Sequence, residues 1–478
     1  MAGTNAGTDA GADKGAAEMR LAILGGGGFR VPLVHRALLA DSARADAVVD
    51  EVVLFDTDPR RLRAIGAVLD RQRDAHREAH GEPKLTVRAE TDLEAAVRGC
   101  DLVFSAIRVG GAAGRVLDER VALDAGVLGQ ETVGAGGISY GLRTLPVART
   151  IARAIAEHAP EAWVVNFTNP AGLVTEAMSA VLGDRVVGIC DSPVGLGRRA
   201  ARALGLDPAR TRFDYAGLNH LGWLRGLRVG SRDVLPDLLA DEAALGSFEE
   251  GQLFGAEWLR AIGALPNEYL HYYYMAREAH AAIAATVGGG GATRGEQIVA
   301  QQDTFYDEAA ATPGDAFTLW DRTRLERESS YMADNRRAAG GIEREAADLD
   351  GGGYEEVALA VMRAITRDEP GRLIVNVRNR GALPGLDDDA VVEVPCLVDA
   401  DGARPLAVAP LAGHQLSLVH AVKSVERDVI KAVHSGSRTL ALRAFANHPL
   451  VDSVTTARTL LDGYLAAFPD LRTTLPHP

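Results

Sequence analysis

Short apolar runs alternate with longer amphipathic stretches over roughly the first 190 residues. Leu21, Ala22, Ile23 and Leu24 form the first run and lead into four consecutive glycines. Val52, Val53, Leu54 and Phe55 form the second, and further strand-like runs fall at 85–87, 101–106, 162–167 and 185–189. Between them the spacing predicts helices at 59–81, 92–98, 115–125, 143–158 and 172–182. Strands alternating with helices over short connections predict an α/β fold with a doubly wound, Rossmann-type parallel sheet. Beyond residue 193 the pattern changes. Strands are expected at 213–217 and 223–227, then helices over 248–285 and 296–310. Residues 331–353 are polar and glycine-rich, 374–377 and 390–394 could pair as strands, and two long helices at 416–434 and 438–446 are expected to close the chain. The pattern divides the chain into a disordered tail (1–18), the sheet domain (19–192) and a mixed α+β, mainly helical lobe (193–478).

A chain of 478 residues is too long for one small core, which agrees with two packed lobes. A formal net charge of −14 argues against nucleic acid as the main partner, although a local arginine cluster could still take an anionic small molecule. Cys100, Cys190 and Cys396 are too few and too scattered for a disulfide framework, so a cytoplasmic setting is expected. No apolar run is long enough to span a bilayer.

The candidate chemistry begins at the first strand end. Gly25, Gly26, Gly27 and Gly28, followed by Phe29 and Arg30, let a backbone approach a pyrophosphate at a helix N-terminus. Asp56, at the next strand end, suits the hydroxyls of an adenosine ribose and favours NAD over NADP, although Arg60 nearby leaves NADP open. Arg30 replaces the third glycine of the usual fingerprint, so the surrounding strand, helix and Asp56 carry the reading. Farther on, Cys190 ends a strand on the ligand-binding side of such a sheet, and His220 follows Asn219 after another apolar run. A cysteine and a histidine are most often buried packing. As metal ligands, two protein donors would leave a divalent ion open positions for substrate and water.

These motifs resemble glycoside hydrolase family 4, and within it the 6-phospho-β-glucosidases. The resemblance rests on 25–32, 54–58, 128–132 with 134–137, and 188–193. It rests also on Asn166-Phe167-Thr168-Asn169-Pro170, Gly217-Leu218-Asn219-His220-Leu221 and 269–274, in order along nearly the whole chain. It implies an NAD- and Mn²⁺-dependent glycosidase outside the two-carboxylate scheme. The sugar is oxidised at C3, a base removes the C2 proton, the glycosidic oxygen leaves, water adds and the hydride returns.

Carried over by position, the resemblance implies Cys190 and His220 as metal ligands, Tyr269 as the base and Asp191 as the acid. Tyr272, Tyr273 and Tyr274 compete with Tyr269, and Asp191 could instead cap a helix before Pro193. Arg115, Glu131, Asn169 and Asn219 resemble substrate- and metal-proximal positions, and Arg294 is a candidate for the substrate phosphate. Some relatives carry Ser and Thr in the first glycine loop, where this chain has Gly28-Phe29-Arg30-Val31, so Arg30 would replace those hydroxyls. The expected substrate is a phosphorylated disaccharide or aryl β-glucoside, and the expected assembly a homodimer or homotetramer. Two other readings compete. One is an NAD-dependent 2-hydroxyacid dehydrogenase of malate or lactate type, for which His220 lacks an obvious acidic partner. The other is a non-catalytic sensor of NAD or sugar phosphate.

Overall fold

The structure is a computed structural model that describes residues 18–330 and 353–477. Most of the expected tail and of the polar 331–353 stretch lies outside the described residues. The strands are β1 (Arg20–Leu24), β2 (Glu51–Phe55), β3 (Thr86–Glu90), β4 (Leu102–Ser105), β5 (Trp163–Asn166), β6 (Val186–Gly188), β7 (Arg212–Leu218) and β8 (Leu221–Val229). Then come β9 (Arg232–Asp233), β10 (Leu265–Pro266), β11 (Gly371–Arg378), β12 (Val391–Asp399) and β13 (Gly402–Pro405). They form one sheet in the order β10-β8-β7-β12-β11-β6-β5-β4-β1-β2-β3, with β13 beside β12 and β9 beside β8.

From β3 to β6 every pairing is parallel, as a doubly wound sheet requires. Both faces are covered, and side chains alternate between them. In β1, Leu21 and Ile23 enter one apolar core while Ala22 and Leu24 enter the other. At β6 the sheet changes character: β11, β12, β7 and β8 continue it antiparallel. Sheet and core therefore run without a break across residue 193.

The hairpin expected from 374–377 and 390–394 is present, with Val375 opposite Val394. The long helix expected over 248–285 is not. Gly255 and Gly263 adopt left-handed backbone (φ +75° and +65°), and Pro266 pairs in β10. The segment is thereby cut into helices Glu249–Phe254, Ala256–Ile262, His271–Tyr274 and Ala276–Gly288. Helix Gly134–His158 starts well before its expected position, through three glycines that its partners crowd. Helices Ser192–Ala203, Ala316–Ser329 and Tyr354–Arg367 went unread. Nor do two helices close the chain. Gly413–Ser435 and Arg438–Asn447 are followed by Val454–Ala467, which Ser453 caps, and Pro469–Thr474. This C-terminal group packs on helix Gly134–His158, where Val425, Val429, Phe445 and Leu461 share a core with Leu142, Leu145 and Ile151. No described helix is long and apolar enough to cross a membrane.

One buried histidine gives the fold a pH signature. His35, on helix Val31–Ser42, meets Gln72 Oε1 at 2.8 Å, and burial lowers its pKa to about 4. The unfolded chain binds this proton near pH 6.5, whereas the folded chain does so only near pH 4. Stability from this group is complete above the unfolded value and is lost as pH falls from 6.5 toward 4. The urea midpoint is expected to be lower at pH 5 than at pH 7. Because other buried groups titrate too, the drop is read against His35→Gln, and a drop as large in that variant as in the wild type would show that the imidazole is not shielded from protons.

Candidate active site

The glycine turn is built by backbone bonds that leave no room for side chains. Gly25 and Gly26 donate to the Phe55 carbonyl at 2.9 and 2.7 Å, and Gly28 donates to the Gly25 carbonyl at 2.8 Å. Gly25 sits at φ +86°, and a Cβ there would fall 2.6 Å from the Ala106 carbonyl oxygen. Asp56 Oδ2 accepts from Gly27 N at 3.1 Å and Oδ1 from Asp58 N at 3.0 Å, so this carboxylate already braces the turn. Three aromatic side chains from later helices fix the carbonyls. Tyr306 donates to Gly27, Trp320 to Phe29 and Tyr354 to Arg30, at 2.7, 2.8 and 2.7 Å. The turn is thereby fixed in shape, and its glycines leave room for a ligand to approach the backbone closely.

Gly25, Gly28, Phe29 and Arg30 line a cavity of about 380 Å³. Cys190, Asp191, His220, Tyr269 and Asn169 line the same cavity. Cys190 leaves the end of β6, and His220 sits in the turn between β7 and β8 with left-handed backbone, φ +61°. A non-glycine residue held there is unusual and marks a constrained position. The Tyr269 ring stacks flat on His220 at 3.7 Å and 4°. Burial lowers the His220 pKa to about 3 although Glu131 pulls the other way, so the imidazole is neutral with a free lone pair. Its Nδ1 is buried without a hydrogen-bond partner among the described residues, as is Asn169 Oδ1. Burial, with Glu393 and Asp191, pushes the Cys190 thiol well up. Asp191 stands at the start of helix Ser192–Ala203 but its carboxylate makes no capping bond, so the helix-cap alternative does not account for it.

Charged side chains line the cavity too. Glu131 accepts from Arg108 at 2.5 Å and from Arg115 at 2.6 Å. Burial alone would raise its pKa, but the two guanidiniums outweigh it and hold it at about 2. Arg294 begins helix Arg294–Ala311 and donates to Ser330 Oγ at 2.8 Å and the Arg327 carbonyl at 3.0 Å. The Arg327 side chain also lines the cavity, over the Phe29 ring at 5.8 Å, and among the described residues its guanidinium has no hydrogen bond or ion pair. Burial, with the like charges of Arg30 and Arg294, lowers its pKa to about 9.

Not every residue selected from sequence reaches the cavity. Gly26, Gly27 and Asp56 are not among the residues that line it. Asn219 turns away: its Oδ1 accepts from Ala171 N at 3.2 Å and its Nδ2 reaches Glu393 at 3.5 Å. Arg108, Arg327 and Glu268 line the cavity and were missed. Glu268 precedes Tyr269 and accepts from Ser192 Oγ at 2.5 Å, and burial with Glu250 raises its pKa. Its position next to the candidate base was the signal available in sequence.

Fold and cavity together define an enzyme on a Rossmann-type sheet. Residues 20–206 match the model for family 4 glycosyl hydrolases, and 215–451 match that for the C-terminal domain of the same family. The chain belongs to the family 4 glycosyl hydrolases. A probable 6-phospho-β-glucosidase of Bacillus subtilis is 31% identical, over 94% of this chain and 96% of that one. A 6-phospho-α-glucosidase of Lacticaseibacillus paracasei is 29% identical over 95% and 98%. The structure of a Thermotoga maritima 6-phospho-β-glucosidase with manganese, NAD⁺ and glucose-6-phosphate superposes with a TM-score of 0.77. It is 27% identical, over 95% of this chain and 99% of that one.

Proposed function

We propose that this chain hydrolyses 6-phospho-β-glucosides by redox-assisted elimination–addition, with NAD and a divalent metal such as Mn²⁺. The observation that carries the reading is the convergence of the glycine turn, Cys190, His220 and Tyr269 on one cavity. The Thermotoga maritima relative, which holds manganese, NAD⁺ and glucose-6-phosphate, supports it.

The residues present fit both groups. The orphaned Nδ1 of a neutral His220 and the buried thiol of Cys190 form a donor pair suited to a borderline-soft divalent ion. The raised thiol pKa means that Cys190 keeps its proton until a cation is there to exchange for it. Gly25 and Gly28, bare of side chains on the cavity wall, would let a pyrophosphate lie against the turn, and Asp56 holds the turn in shape for it. When bound, NAD supplies a reversible two-electron oxidant, and the metal a Lewis acid that acidifies the neighbouring C–H bond.

The chain's own residues do the rest. Tyr269, fixed by its stack on His220, takes the C2 proton. Asp191, on the cavity wall beside Cys190, gives a proton to the departing glycosidic oxygen. The Arg108–Glu131–Arg115 clamp orders one wall and keeps Glu131 ionised. Arg294 and Arg30, joined by Arg327, take the 6-phosphate. A dianion there relieves the mutual repulsion of the arginines.

The test is release of p-nitrophenol from p-nitrophenyl β-glucoside 6-phosphate under reducing conditions, with and without NAD⁺ and Mn²⁺. Release is expected only with both, and without accumulation of NADH. Cleavage that survives complete removal of NAD⁺ sinks the mechanism, and net NADH formation selects the dehydrogenase. Faster release from the α-anomer would reverse the linkage assignment. Arg327→Met is expected to raise KM for the phosphorylated substrate roughly ten- to a hundredfold, since a charged hydrogen bond is lost. Cleavage of the unphosphorylated glucoside is expected not to change.

A further inference from the structure

The hairpin β11–β12 is inserted between β6 and β7, and joins each through a single residue pair. Asn376 pairs with Gly188 of β6, and Glu393 with Gly217 of β7. Asn376 and Glu393 are also partners within the hairpin. One row, Gly188–Asn376–Glu393–Gly217, therefore crosses four strands. Cys190 lies two residues beyond one end of this row and His220 three residues beyond the other.

Side chains lock the row. Asn376 Nδ2 donates to Glu393 Oε1 at 2.8 Å and reaches the Gly188 carbonyl at 3.5 Å. Tyr215 donates to Glu393 Oε2 at 3.2 Å, and Asn219 Nδ2, next to His220, reaches Oε1 at 3.5 Å. Glu393 and Asn376 are both fully buried. Neither end has slack: a Cβ at Gly188 would fall 2.9 Å from Asn376 Cβ, and one at Gly217 would collide with the Leu221 carbonyl. A buried carboxylate is costly where packing alone is needed, because a well-fitted apolar side chain serves as well. Three donors from three strands or turns converge on this one. Both carboxylate oxygens of Glu393 are thus engaged, which suits a place behind the donor pair rather than that of a third ligand.

We infer that Glu393 is a positioning residue for the cation site. Through Asn376 it holds the strand that carries Cys190, through Asn219 the turn that carries His220, and so it sets how far apart the two donors stand. The inference rests on the reading of Cys190 and His220 as metal donors.

The test measures Mn²⁺ binding to the metal-free full chain by electron paramagnetic resonance, without substrate, and NAD⁺ binding by calorimetry. The cobalt–thiolate charge-transfer band reports engagement of Cys190. Glu393→Gln is expected to weaken Mn²⁺ roughly ten- to a hundredfold, the usual effect of losing an outer-shell partner, and to weaken the cobalt band while NAD⁺ affinity holds. Asn376→Ser, which leaves the carboxylate in place, is expected to shift Mn²⁺ in the same direction, and it decides the matter if Glu393→Gln does not fold. Wild-type Mn²⁺ affinity in the deciding variant overturns the inference, and so does a parallel loss of Mn²⁺ and NAD⁺. A wild-type chain that binds no Mn²⁺ would instead overturn the donor assignment itself.

Discussion

Tyr269→Phe is expected to lower kcat by roughly two to four orders of magnitude, the range for a positioned general base. KM and the affinities for NAD⁺ and Mn²⁺ are expected to hold. The variant keeps the ring that stacks on His220 at 3.7 Å and removes only the phenolic oxygen. The neighbouring tyrosines are committed elsewhere or less well placed. Tyr274 accepts from Trp223 Nε1 at 3.0 Å, and burial with the Glu426 charge raises the Tyr273 pKa. Tyr272 shares the cavity but lies 6.3 Å from the Tyr269 ring, away from the stack on the imidazole. Turnover in D₂O adds a second readout. The wild-type product is expected to carry deuterium at C2, and so is the little product that Tyr269→Phe makes, because loss of the C2 proton is obligatory on this route. Full activity in Tyr269→Phe, or a collapse confined to Tyr272→Phe, would move the base to the other ring.

Cys190→Ser is expected to remove metal-dependent turnover. The loss should exceed the roughly ten- to hundredfold cost of disturbing an outer-shell partner, because the donor itself is gone. Serine fills nearly the same space, but its hydroxyl is far harder to deprotonate than a thiol and binds a borderline ion poorly. Chelation of the wild-type protein is expected to abolish activity, and Mn²⁺ to restore it; the serine variant should not recover at any Mn²⁺ concentration. NAD⁺ binding is the control, since the glycine turn is built from β1, β2 and three aromatic donors and not from β6. Full activity in Cys190→Ser would withdraw the thiol from the site.

The parts of the site legible in sequence are those whose signal is local. A strand, a glycine run and an acid at the next strand end declare a nucleotide turn within 36 residues, Leu21 to Asp56. Cys190 and His220 were readable because each ends an apolar run beside an unusual polar motif. Glu393 was not. Within Val391-Val392-Glu393-Val394 a glutamate reads as the solvent face of an alternating strand, yet here it faces inward and is fully buried. Only the pairing of β12 with both β11 and β7 makes that so, and those partners are distant in sequence. Arg327 was hidden for a similar reason: on a charged helix, a guanidinium that enters a cavity looks like any surface arginine. Asn219 erred the other way. Its neighbour His220 faces the cavity, but the left-handed turn sends the asparagine back to brace Ala171 and Glu393.

The unbroken sheet has a consequence for how the polypeptide emerges from the ribosome. β6 finds its outer neighbour only when Asn376, 188 residues downstream of Gly188, has been made. At about 5–20 residues per second that interval is roughly 10 to 40 s. Throughout it, the nascent parallel sheet shows an open edge, and helix Gly134–His158 waits with an uncovered apolar flank for residues 413–475. The N-terminal half therefore has no finished surface of its own, and the last hundred residues complete a core begun near the first.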